Sequence, residues 1–154
     1  PTEEFVIVER MTGAVPRAQQ VIGTDTLLEM QRAADRVFVD PALMEYAVRL
    51  ATATREPATH GLDELSRYIT FGASPRASIN LILAGRALAF VRGRDYALPE
   101  DVIDIALDVL RHRIVLSFEA LSDDVSSDDV LASIIDRVPV PVVPLRDHGN
   151  VVSA

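Results

Sequence analysis

Three X-Pro pairs constrain this chain more than any other feature. Asp40-Pro41, Ser74-Pro75 and Leu98-Pro99 each head a stretch whose apolar residues recur at helical spacing. Proline suits the first turn of a helix, where its missing N–H costs nothing, and it disrupts helix interiors and central strands. The pairs therefore read as three helix starts. Behind Pro41, residues Leu43, Met44, Ala47, Val48, Leu50 and Ala51 form a broad apolar stripe. A helix from 75 to about 92 carries Ile79, Ile82, Leu83, Leu88 and Phe90, and Gly93 stops it. The third helix carries Val102, Ile103, Ala106, Leu107 and Leu110, with Leu98 a poor cap.

Two further starts lack proline. Thr24 or Asp25 caps a helix to about Val39, with Leu27, Leu28, Met30, Ala34, Val37 and Phe38 at helical spacing. Ser126-Ser127-Asp128-Asp129 caps another that carries Val130, Leu131, Ile134 and Ile135. Between Glu56 and Gly72 the pattern weakens to a loop, with a short helical turn from Leu62, Leu65, Tyr68 and Ile69. At the start the signals conflict. Thr2-Glu3-Glu4 opens like a helix, whereas Phe5-Val6-Ile7-Val8 suits a strand. The expected fold is all-α, a small bundle of five to seven helices. Its core is expected from Leu43, Ala47, Ile79, Leu83, Ile103, Leu107 and Leu110. Residues 1–23 read as a helix and connector, 24–138 as the helical domain, and 139–154 as an extended tail after Pro139, Pro141 and Pro144.

Composition narrows function. The 154 residues are 49% hydrophobic, enough for a core, and no apolar run reaches the length of a membrane span. All 15 basic residues are Arg. Without Lys there is no P-loop lysine, Schiff base or Ser-Lys dyad. Without Cys there are no disulfides or thiolate metal sites. A net charge of −8 argues against a broad nucleic-acid footprint. No signal-peptide pattern opens the chain, so a reducing cytoplasm is the default expectation, and a start without Met is expected of a piece of a longer protein.

Gly72-Ala73-Ser74-Pro75-Arg76-Ala77 is the most informative stretch. A helix N-terminus favours anions, so an Arg there is sensible if a phosphate sits in front of it. Spacing alone favours the plainer reading, a capped helix with a solvated Arg76. Asp101, Asp104 and Asp108, with Glu100, lie near one helical face and read as solvated rather than as a cation site. Asp123, Asp124, Asp128 and Asp129 read as part of a helix start. Arg111-His112-Arg113 reads as a helix end, and Tyr46, Tyr68 and Tyr96 as core-edge residues.

Tyr68-Ile69-Thr70-Phe71-Gly72-Ala73-Ser74-Pro75-Arg76-Ala77 resembles the sensor 2 segment of MoxR-type AAA+ ATPases. Gly93-Arg94-Asp95-Tyr96 with Pro99-Glu100-Asp101-Val102, then Val109 to Ile114, then Val138-Pro139-Val140-Pro141, are similar to the family's later blocks in the same order. Leu98 departs from the capping Thr or Ser that the family often has. The resemblance covers residues 1 to 141 and implies the C-terminal helical lid alone. The ATPase core, with its Walker motifs, Mg²⁺-binding carboxylate and arginine finger, is expected ahead of Pro1. It further implies that Arg76 is the sensor 2 arginine, reaching the γ-phosphate of ATP, with Ser74 and Pro75 supporting it at the helix N-terminus. ATP and Mg²⁺ belong to the parent protein, and no cofactor, metal or catalytic residue is expected in this chain. Partners implied are its own core, neighbouring subunits of a hexameric ring, and a client with a von Willebrand A domain, with no nucleic acid and no membrane. The competing expectation is a non-enzymatic module that binds a client through its acidic surface or tail.

Overall fold

The computed structural model describes residues 2–13 and 18–143. Pro1, most of the tail and part of the first connector lie outside them. Among the described residues there are seven α-helices and one two-stranded sheet. The chain divides into two compact units, Pro1–Gln31 and Arg32–Ala154.

The first unit holds α1 (Thr2–Thr12) and most of α2 (Thr24–Asp35). Helix wins over the β-branched run in α1. Glu3 and Glu4 lie at its positive end and Arg10 in its last turn, as the dipole favours. No residue of α1 is buried, and Phe5, Ile7, Val8 and Met11 are all exposed. The second helix ends at Asp35, four residues before the expected Val39. Phe38 instead forms an isolated bridge with Tyr96. The Phe38 N–H donates to the Asp95 carbonyl, and the Phe38 carbonyl accepts from the Ala97 N–H. Asp40 precedes proline and is extended, as that position requires.

In the second unit, α3 (Pro41–Arg55) starts as its sequence dictates, with the Asp40 carboxylate accepting from the Ala42 N–H at 2.8 Å. Two 3-10 turns, Pro57–His60 and Asp63–Leu65, bring in Leu62 and Leu65 as buried side chains. A three-residue strand β1 (Ile69–Phe71) then leads to α4 (Arg76–Val91). Gly93, at φ +75°, closes α4, and the Arg94 N–H returns to the Ala89 carbonyl. The next helix, α5 (Pro99–Leu110), packs against α4, and a 3-10 turn over Arg111–Arg113 follows. Strand β2 (Val115–Leu116) pairs antiparallel with β1 across more than forty residues of sequence, a pairing no local signal announced. Then come α6 (Phe118–Ser122), capped by Ser117, and α7 (Ser127–Arg137). Ser126 and Asp129 form a reciprocal capping box on α7.

The core unites Leu43, Tyr46, Ala47 and Leu50 of α3, Val102, Ala106 and Leu110 of α5, and Val130, Leu131 and Ile134 of α7. Ile103 and Leu107 pack on its edge. The facing of α4 departs from expectation. Ile79 and Leu83 are 57% and 50% exposed, and the buried stripe is Ala77, Leu81, Gly85 and Ala89. The reason is close approach: a Cβ added at Gly85 would stand 3.2 Å from Val102 Cγ2. α4 carries apolar residues on every side, so the side with small residues turns inward to let α5 come near.

Candidate functional site

The stretch singled out by sequence lies where β1 hands over to α4. Ser74, Pro75 and Arg76 are all exposed, between the buried Ala73 and Ala77. Pro75 has helical angles, φ −55° and ψ −20°, and Arg76 opens the helix proper. The cap expected from the Ser74 hydroxyl is not made. The Ser74 carbonyl takes the Ala77 N–H at 2.8 Å instead. The head of α4 is thus free of side-chain caps, whereas α3, α6 and α7 each have one. Among the described residues no hydrogen bond or ion pair engages the Arg76 guanidinium.

What lies beneath is fixed. Thr54, in the last turn of α3, is fully buried. Its hydroxyl donates to the Ala51 carbonyl at 2.7 Å and accepts from the Ala73 N–H at 2.8 Å. The Arg55 guanidinium donates to the Ala73 carbonyl. Gly72 runs backbone against backbone there, since a Cβ on it would lie 2.2 Å from the Thr54 carbonyl oxygen. Sequence reading noted Gly72 as part of a block and missed Thr54 and Arg55, which are nineteen and eighteen residues from Ala73.

At the far end of α4 the structure corrects the sequence. Asp101 is not solvated: its carboxylate is fully buried. It receives the Arg92 guanidinium at 2.8 Å, a two-pronged contact from Arg94, and the Leu98 N–H at 2.8 Å. Asp101 thereby supplies the cap that Leu98 cannot. Asp104 and Asp108 stay exposed and pair with Arg92 and Arg111. No group of three or more His, Cys, Asp or Glu gathers as a metal site among the described residues. The second acidic cluster is dispersed. Asp123 pairs with Arg67, Asp128 with Arg111, and Asp129 caps α7. Arg113 donates to the Val109 carbonyl at the end of α5, the helix-end role expected of that triplet. Tyr46 lies deep in the core rather than at its edge.

Two hollows flank α4. One of about 370 Å³, lined by Ala33, Arg36, Val37, Phe90 and Gly93 to Asp95, is remote from Arg76, at the other end of the helix. The other, about 280 Å³, is a largely apolar groove between α3 and α4, lined by Met44, Val48, Ser78, Ile79, Ile82 and Leu83. No helix among the described residues is long and apolar enough to cross a membrane.

Residues 64–134 of this helical bundle match the AAA lid domain family. Along nearly all of its length the chain is similar to proteins of the MoxR type. It is 44% identical over 152 residues to "Chaperone MoxR1" of Mycobacterium tuberculosis, covering 97% of this chain and 40% of that protein. It is 42% identical over 81 residues to "Protein MoxR" of Paracoccus denitrificans, covering 50% of this chain and 24% of the relative. A crystal structure of a candidate ATPase from Cytophaga hutchinsonii matches with a TM-score of 0.79 at 34% identity, over 92% of this chain and 43% of that one. The chain therefore spans less than half the length of each of these relatives.

Proposed function

We propose that this lid works with an ATPase core in a longer protein and supplies Arg76, as a sensor 2 arginine, to the γ-phosphate of ATP bound by that core. The observation that carries the reading is Arg76 itself. It is an exposed, unpaired guanidinium at an uncapped helix start, on a loop pinned from below. An Arg in a first helical turn opposes the dipole, and an anion in front of it removes that penalty. The planar fork gives a charge-assisted contact with phosphate oxygens. Ser74 and Pro75 support it by setting where α4 begins. ATP with Mg²⁺ supplies the transferable phosphoryl group, and both belong to the core. Arg76 holds the lid against the core while the γ-phosphate is present and lets go when it leaves, so hydrolysis becomes lid movement. In a cytoplasmic ring, hexameric in this reading, that movement is passed to neighbouring subunits and remodels a client carrying a von Willebrand A domain.

The test is Arg76→Ala in the longer protein. Turnover should fall by roughly ten- to a hundredfold, the worth of one charge-assisted contact. The melting temperature of the lid should not change, because an exposed first-turn side chain packs little. Arg76→Lys should rescue only in part, since an ammonium cannot make the two-pronged contact. Full turnover by Arg76→Ala would overturn the reading and leave Arg76 a solvated arginine at a helix start. This chain by itself should turn over no ATP, having no Lys and no phosphate-cradling glycine loop.

A further inference from the structure

We infer that Thr54 is the positioning residue for Arg76, an inference that rests on the sensor reading above. Ala73 is held at both of its backbone groups by two consecutive residues of α3: the N–H by the Thr54 hydroxyl, the carbonyl by Arg55. The hydroxyl is satisfied in both directions, since it also donates to Ala51. It is therefore fixed in rotamer and inaccessible to water. Gly72 permits the approach, because any side chain there would meet the Thr54 backbone. Between this pin and Arg76 lie only Ser74 and Pro75, and the proline ring restricts φ. Ala77, fully buried on the other side, holds the first turn of α4 in the core. The position of the Arg76 backbone is thus set by the end of α3. A charge-assisted contact with phosphate depends on placement within a fraction of an ångström, and misplacement by about 1 Å can cost as much as a hundredfold.

The experiment compares variants of the longer protein by ATP turnover and lid melting. Thr54→Val keeps shape and removes the hydroxyl, leaving the Ala73 N–H without its partner. Turnover should fall about tenfold, within the range that misplacement allows. Thr54→Ser, which keeps the hydroxyl, should restore turnover to within about twofold of the parent. The double variant Thr54→Val with Arg76→Ala should turn over no more slowly than Arg76→Ala alone, because Thr54 acts only through Arg76. Losses that multiply in the double variant, unchanged turnover in Thr54→Val, or no rescue by serine would overturn the inference while leaving the sensor reading intact. If Thr54→Val does not fold, Arg55→Met carries the same cycle from an exposed position. A loss that merges with that of Arg76→Ala supports the pin, and no loss or a multiplied loss overturns it. Unchanged turnover in Arg76→Ala overturns the sensor reading, and this inference with it.

Discussion

Asp101 is the residue on which the second unit is most exposed to pH. Burial alone would raise its pKa. The Arg94 fork, the Leu98 N–H and Arg92 together outweigh burial and hold the carboxyl below its ordinary value of 3.8. A carboxyl lowered in the folded state adds stability above its unfolded pKa and loses it as pH falls through the folded value. Asp101→Asn should therefore cost about 1–3 kcal/mol at neutral pH, because it leaves two partly exposed guanidinium groups facing a neutral amide. Urea unfolding of both proteins should show this gap constant down to about pH 4 and narrowing below it. A gap that stays constant into strong acid would mean that Asp101 acts by shape and not by charge. The sequence made Asp101 look like a neighbour of Asp104 and Asp108. The better signal was its place three residues after Leu98, a helix start with no cap of its own, downstream of Arg92 and Arg94.

At the scale of elements, helix starts and stops were readable and faces were not always so. Asp40, Ser126, Asp129 and Gly93 act within four residues of themselves, so local chemistry decides them. The β1–β2 pairing and the Thr54 pin depend on residues far apart in sequence. The facing of α4 was unreadable for a different reason. With Ile79, Ile82, Leu83 and Leu88 spread around it, apolar periodicity has no phase, and the small residue Gly85 selects the inner side. Gly85→Val should destabilise by about 1–3 kcal/mol through overpacking against Val102. Leu83→Ala, half-exposed, should cost under about 1 kcal/mol. Denaturant midpoints in the opposite order would restore the facing expected from sequence. Leu110→Ala should cost about 2–5 kcal/mol as a fully buried truncation, and Leu107→Ala less, because Leu107 sits at the core edge. A larger loss at Leu107 would reverse their placement.

At the scale of the molecule, burial is uneven. α1 and α2 contain no buried residue, whereas α3, α5 and α7 each carry several. Helices without a packed face open at little cost. Amide hydrogen exchange should therefore be fastest in Thr2–Thr12 and slowest in the buried turns of α3, α5 and α7. Slow exchange in the first helix would show that its exposed Phe5, Ile7 and Met11 are covered in solution. The resemblance carried by sequence pointed to Arg76. It could not show what holds Arg76 in place, because that support comes from α3 and not from Arg76's own block.

Ala77, Leu81, Gly85 and Ala89 are spaced by four residues on a helix of about 3.6 per turn, so the line they draw winds by roughly 40° at each step. It behaves like the thread of a screw. α4 cannot slide along its axis without rotating, and rotation drives a bulkier side chain toward Val102. Axial displacement of α4 would therefore press on Val102, in the first turn of α5.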